Sequence, residues 1–420
     1  MKNDRADWRV LAFPFGSRDK RKYKMKKSPF VFALTLVMAT SIFAQQDVAI
    51  RGTLIMELGN SNGVVVMTDS MQTVGDRQLP EPGQKLMKYN DELVCAIAGL
   101  GGLDVPAMPK LSIKTMGVVA AYRDNETLHG RTRSIAEKLE GISALLRFYL
   151  DTTADLDEIA AGYESNLTLQ LMLVGYDLDK TLKVGLLELS GSPLISGNTR
   201  RWQFRENSIT ILPPLLSLTY QFRGMPKIAW DIMLHPDKYP LPSVKRYSKA
   251  MDKDNGTSMT LDEIKSLASD LIEETAKKYR QVGGPKQTAI LAGGKVKSLV
   301  QPIFPEIPRP FTFTGLSQIE LNGGMPQMTD EQVVFFEDVL FNRISIPIRL
   351  DNRVYLHCQV RDSIVEYDGG GTIFEKTNTV YNSSLRFASG DLANTKLGQQ
   401  LLWNFPWNGV YPATPPFRQP

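Results

Sequence analysis

Three polar residues in an otherwise apolar stretch have the types and the spacing for acyl-transfer chemistry. They are Thr53, Asp69 and Lys85, each 16 residues from the next. A hydroxyl is a weak nucleophile until a base stands beside it. Gly52 precedes Thr53, and cleavage between them would free the α-amine of Thr53, a group that titrates at about pH 8. That amine can take the proton of its own side-chain hydroxyl, so one threonine serves as nucleophile and base. Asp69 and Lys85 are charges that an apolar interior tolerates best as a pair. A lysine fixed by that aspartate lowers the pKa of both groups on Thr53 electrostatically.

The elements that must hold these residues follow from pattern. Residues 53–58 form a short apolar run, and Gly59 to Gly63 supply the glycine and asparagine that a hairpin turn needs. Residues 64–67 are a β-branched run suited to a strand buried on both faces, and Asp69 stands at its end. Lys85 follows a loop containing Pro82 and Gly83 and leads into a strand-like KLMKY. Residues 93–98 predict another strand, closed by Gly99.

This stretch resembles the proteasome β-subunit and its bacterial relatives, the N-terminal-nucleophile (Ntn) hydrolases. Asp69-Ser70 followed by Thr73 and Gly75 matches the family's D-S-x-x-T-x-G, and Ala98-Gly99 matches its A-G-G with Leu100 in place of the second glycine. The resemblance implies Gly52 as the processing residue, Thr53 as nucleophile, Asp69 and Lys85 as its support, the Gly99 amide as oxyanion donor and Thr73 as a main-chain contact for extended substrate. Met87 and Ile97 fall where the family lines its specificity pocket, which implies cleavage after neutral or hydrophobic residues. The implied fold is α+β, a four-layer αββα Ntn-hydrolase sandwich. The implied activity is that of a threonine peptidase or amidohydrolase on a peptide or protein substrate, without metal or cofactor, in a homo-oligomeric ring.

The resemblance spans residues 52–295, strong over the first fifty and weak beyond. Gly283-Gly284-Pro285 looks like the family's late S-G-G-x turn, but Tyr279 and Val282 stand where proteasomal members carry an aspartate and a serine. Before the KIAWDIML helix, only Arg223-Gly224 is similar to the family's Gly-Ser-Gly. These departures keep open a second reading, a non-catalytic scaffold or binding protein on the same fold.

The chain has 420 residues, enough for two or three domains. Its 42% hydrophobic and 22% charged residues are ordinary for a globular protein. The net charge of +4 comes in part from basic residues before position 30, so no nucleic-acid partner is inferred. His129, His235 and His357 lie far apart without ligand partners, which argues against a histidine triad or a zinc site. Cys95 and Cys358 make no disulfide framework, and no phosphate-binding glycine loop is present.

Residues 1–44 read as a leader. Lys26 and Lys27 precede the mainly apolar residues 30–43, and Ala44 precedes Gln45. This is an export signal starting at Met25, with an uncleaved anchor as the alternative. Export would make residues 45–52 a propeptide, place the protein in the periplasm or outside the cell, and leave no stable membrane span. Residues 53–300 form the hydrolase-like domain. Within it, Ser134 with Glu137 and Thr260 with Glu263 predict capping boxes, and residues 167–174 and 182–189 predict strands. Residues 103–133 show no assignable pattern. Pro302, Pro305, Pro308 and Pro310 mark residues 301–310 as a linker. Residues 311–420 form a β-rich module in which 360–367 recurs as 380–387. A period of 20 fits stacked solenoid coils or a plain antiparallel hairpin. Residues 391–403 read as a capping helix. A surface-binding adhesin built on this module is a third reading.

Overall fold

In a computed structural model, the residues described are 53–74, 77–78, 82–103, 113–152, 167–196, 199–212, 217–304, 313–317, 319–326 and 333–412. The expected leader, the expected propeptide with Gly52, and residues 305–312 of the proline-rich segment lie outside them.

The apolar run at Thr53 becomes β1 (Leu54–Asn60), which turns through two residues into β2 (Gly63–Thr68). Two short strands, β3 (Thr73–Val74) and β4 (Arg77–Gln78), pair with each other. β5 (Leu86–Lys88) and β6 (Leu93–Gly99) follow, then the small pair β7 (Gly102–Leu103) and β8 (Ile113–Lys114). The unassigned region contains α1 (Thr115–Leu128), and α2 (Ile135–Thr152) follows it. The Ser134 capping box forms: its N–H donates to Glu137 Oε2 at 2.7 Å, and its Oγ accepts from the Glu137 N–H at 3.3 Å. β9 (Leu167–Tyr176), β10 (Leu182–Ser196) and β11 (Thr199–Ile211) make a long meander, extending well past the predicted strand ends. β12 (Thr219–Gly224) leads into α3 (Lys227–Leu234), α4 (Pro242–Asp254) and α5 (Leu261–Lys278), the last opened by the Thr260–Glu263 capping box. β13 (Gln287–Ala292) and β14 (Lys295–Val300) complete this part.

These strands form two five-stranded sheets, ordered β12-β1-β2-β13-β14 and β11-β10-β9-β6-β5. Side chains alternate across each strand, and the alternation assigns the layers. Leu54, Met56 and Leu58 of β1 pack with residues of α3, α4 and α5. Ile55, between them, joins Val64, Val66, Val94, Ala96, Met172 and Val184 in an apolar layer between the two sheets. The other face of the second sheet carries Leu93, Cys95, Ile97 and Leu171 against Val119, Leu139, Ile142 and Leu146 of α1 and α2.

The C-terminal part is β-solenoid-like. Its coils contribute one strand each to three parallel four-stranded sheets: β15 (Phe313–Ser317), β17 (Val333–Glu337), β20 (Arg353–Leu356) and β23 (Thr372–Phe374); β16 (Glu320–Asn322), β18 (Leu340–Asn342), β21 (Gln359–Arg361) and β24 (Thr379–Tyr381); and β19 (Ile348–Arg349), β22 (Ile364–Tyr367), β25 (Ser384–Phe387) and β26 (Gly409–Pro412). The repeat is stacked in parallel register, with Val360 on Val380, Val365 on Leu385 and Tyr367 on Phe387, so the hairpin alternative is excluded. Arg343, Asp362 and Asn382 take left-handed conformations at successive copies of one corner (φ 51°, 49° and 47°), so the bend recurs with the coil. α6 (Lys396–Asn404) places Leu401 in the interior of these coils.

The solenoid and the helices share one core. Val333, Phe335, Val354, Leu356 and Ile373 belong to the same apolar cluster as α1 and α2. Beside it, fully buried Glu337 accepts from Arg131 at 3.0 Å and from Arg133, and Tyr122 donates to it at 3.4 Å. Burial pushes the Glu337 carboxyl up to about 7 against the pull of Arg133 and Arg131. His357 bridges Glu140 of α2 at 3.1 Å and Asp338 at 3.7 Å. Removing one partner of such a buried network strands the others. Glu337→Leu is therefore expected to destabilise the protein by about 3–5 kcal/mol, read as a lower urea midpoint; an unchanged midpoint would show that the network contributes nothing to docking.

Candidate active site

The hairpin arithmetic of β1 and β2 brings the first two candidate residues together. Ile55 pairs with Thr68, so Asp69 lies beside Leu54, one residue from Thr53. Asp69 is fully buried and surrounded by donors. Its Oδ1 accepts the Leu54 N–H at 2.9 Å. Its Oδ2 accepts Lys85 Nζ at 3.2 Å, the Met71 N–H at 3.1 Å and the Gly283 N–H at 3.2 Å. One carboxylate thereby joins β1, the end of β2, the residue leading into β5 and the turn after α5. Burial pushes Asp69 up, and Lys85 with the two backbone donors Leu54 and Gly283 opposes it. Burial pushes Lys85 down, and Asp69 opposes that. Lys85 also donates to the carbonyl of Met71.

Thr53 is buried at the head of β1, and its carbonyl accepts the Met225 N–H at 2.8 Å. Gly224, paired with Leu54, has φ +85°, and a Cβ there would collide with the Thr53 carbonyl oxygen. Only glycine fits such a site without strain. The Gly224 N–H donates across the sheets to Gln170 Oε1 at 3.0 Å. Gln170 pairs with Ala98 on β6, so the end of β6 arrives beside β12. Gly99 has φ +81°, and a Cβ there would strike the Thr168 carbonyl. Leu100 donates to Thr168 at 3.0 Å, whereas Ile97 donates toward β5, to the Lys85 carbonyl at 2.9 Å. By strand alternation the Gly99 N–H points to the Lys85 side.

The remaining predicted residues sit elsewhere. Thr73 lies on β3, with a buried hydroxyl that has no hydrogen-bond partner among the described residues. Met87 and Ile97 share a strand face with Cys95 and are packed against the α1 and α2 layer at 6% and 2% exposure, so they offer almost no surface as they stand. Tyr279 ends α5 and Val282 is buried in the apolar layer beneath it. These positions anchor the late turn by packing, and the turn reaches the site through the backbone of Gly283, whose carbonyl also accepts from Ser70 and Met71.

Gln287 was not singled out in the sequence. Fully buried, its Oε1 accepts the N–H groups of Lys85 at 3.1 Å and Leu86 at 3.0 Å, and its Nε2 donates to the Gly83 carbonyl at 2.6 Å. It fixes the backbone that carries Lys85. A polar residue heading the apolar run of β13 was its only signal. Gln170 was missed likewise. Among the described residues, no group of three metal-ligating side chains is present and both cysteines are free and buried. No helix there is long and apolar enough to cross a membrane.

Glu57 is the least expected buried group on β1. It lies two residues beyond Ile55 on the inter-sheet face of β1, fully buried, and neither carboxyl oxygen has a partner among the described residues. Burial alone pushes it up to about 8.

No protein-family model matches the chain, and no curated protein matches it. Among solved structures, the chain is similar to "Anbu (ancestral beta-subunit) from Yersinia bercovieri". The identity is 13% and the TM-score 0.38, over 59% of this chain and 85% of that one.

The unfolded chain ionises Glu57 near 4.5 and the folded chain near 8, so folding takes up a proton between these values. Its contribution to stability is complete below pH 4.5 and is lost as the pH rises to about 8. Glu57→Gln, which cannot ionise, is expected to gain on the parent over that window, by a few kcal/mol at its alkaline end. Thermal melting of both proteins across the pH range checks this; parallel curves would contradict it.

Proposed function

We propose that the chain is a threonine-type hydrolase of peptide or amide bonds, built on an Ntn αββα sandwich, with Thr53 as its autoprocessed nucleophile. The observation that carries this reading is the Asp69 carboxylate, which holds the Leu54 N–H, Lys85 Nζ and the Gly283 N–H around the head of β1. Two sheets facing each other, with helices on both outer faces, support the sandwich. After release of Gly52, the Thr53 hydroxyl attacks the substrate carbonyl and its proton passes to the free α-amine. Lys85, lowered by burial, sits at the same carboxylate and favours the deprotonated forms of both Thr53 groups. The Gly99 N–H, turned to the Lys85 side, is the donor for the oxyanion. The amine leaving group departs with a proton, and water activated by the α-amine hydrolyses the ester. Export by the leader and assembly into a ring belong to the same proposal; they rest on the sequence of residues 25–44 and on the resemblance.

A scaffold reading is favoured by one observation: Tyr279 and Val282 supply packing where a catalytic turn would supply polar groups. The mature N-terminus separates the two. The hydrolase reading expects a chain starting at Thr53. It also expects Thr53→Ala to keep residues 45–52 and lose hydrolysis by about 10⁴-fold or more. Intact mass and turnover of a peptide library measure both. A native chain starting near Gln45 would leave the threonine amine blocked and establish the scaffold reading.

A further inference from the structure

Arg223 is a cation placed beside the candidate nucleophile with no ion-pair partner among the described residues. It pairs with Ile55 across β1 and β12, and Met225 bonds the Thr53 carbonyl, so Arg223 and Thr53 are diagonal neighbours on the inter-sheet face. Diagonal positions lie within reach of a long side chain. Its one hydrogen bond among the described residues runs from Nη1 to the Phe222 carbonyl at 2.8 Å. Two carboxylates stand near it, and neither takes it as an ion pair. Glu188, on β10, attracts it electrostatically. The Glu188 oxygens, however, accept from Gln170 Nε2 at 3.0 Å and Asn207 Nδ2 at 3.1 Å. Glu57, on the same face of β1, is shifted by burial alone. Arg223 itself is half-buried, so its cation is kept from full hydration and still reachable. A guanidinium has five donors arranged in a fork that matches a carboxylate.

We propose that Arg223 binds a carboxylate of the substrate and orients the neighbouring amide toward Thr53, so that the enzyme selects acidic peptides or amides. This rests on the reading of Thr53 as nucleophile. It also redirects specificity: Met87 and Ile97, the expected apolar lining, are packed into the core. The carboxylate has two sources, an acidic side chain at the residue that acylates Thr53 or the free terminal carboxylate of a short peptide.

The test uses the mature full-length protein and matched peptides with Glu, Gln or Leu at the acylating residue, each with a free or an amidated C-terminus. Wild type is expected to favour one carboxylate form over its amide by about 10-fold to 100-fold in kcat/KM. Preference for Glu over Gln names the side chain, and preference for free over amidated peptide names the terminus; either supports the assignment. In Arg223→Gln that ratio is expected to fall to near one. Arg223→Lys, which keeps the charge and loses the fork, is expected to fall between, and it decides the matter if Arg223→Gln melts early. Equal rates for both forms in wild type, or an unchanged ratio in the variants, would overturn it. Mass-spectrometric trapping of acylated Thr53 separates the failures. Acylation without carboxylate preference sinks the Arg223 assignment alone, and no acylation by any peptide sinks the hydrolase reading with it.

Discussion

The buried carboxylate of Asp69 is the constraint around which the two-sheet part of the chain is arranged. A carboxylate removed from water requires donors at its lone pairs, and here they come from four chain segments: β1, the residues after β2, Lys85 leading into β5, and the turn after α5. The satisfaction of one group thus fixes the relative placement of elements more than two hundred residues apart. Gln287, opposite Thr68 on the neighbouring strand, repeats the device, accepting two N–H groups and donating to one carbonyl around Lys85. Together they tie the backbone around Lys85 and the head of β1 into one hydrogen-bonded network.

The same sheet also carries ionisable groups poorly served by their surroundings. Glu57 lies in an apolar layer with no partner among the described residues, and Arg223 lacks an ion-pair partner on the neighbouring strand. A sequence selected only for stability would pair or remove them. Arg223 stands diagonal to Thr53, and Glu57 lies four residues along the chain from Thr53, on β1. The solenoid follows the opposite logic. Its apolar residues extend the α1 and α2 core, and Glu337 is met by Arg131, Arg133 and Tyr122, so charge burial there is compensated. It covers the outer face of two helices that would otherwise present apolar surface to water.

Much of this was legible in the sequence because it depends on local rules. The Gly59–Gly63 turn sets the hairpin register, and that register alone carries Asp69 to Leu54. Capping boxes at Ser134 and Thr260 mark helix starts because they satisfy orphan N–H groups within four residues. The 20-residue period marks stacked coils because each coil must bury the same side chains against the next. α1 is not marked in the sequence because its buried and exposed residues are weakly segregated along the helix, and β12 because its residues are a mixture of aromatic and polar types.

Tertiary structure decided what periodicity leaves open. A strand buried on both faces looks the same from either side in sequence, so only packing could send Met87 and Ile97 to the helical layer and Ala98 to the inter-sheet layer. Parallel stacking and an antiparallel hairpin place the same alternating residues inward, and only the register of Val360 on Val380 distinguishes them. The contributions of Gly283, Gln170 and Gln287 come from distant segments whose own neighbourhoods say nothing of Asp69 or Lys85. The sequence by itself determined the hairpin that joins Thr53 to Asp69, the helix caps and the coil period, because short-range geometry suffices for them. Which side chains surround Thr53, and which ionisable groups on that face have no partner among the described residues, was decided only when the two sheets met.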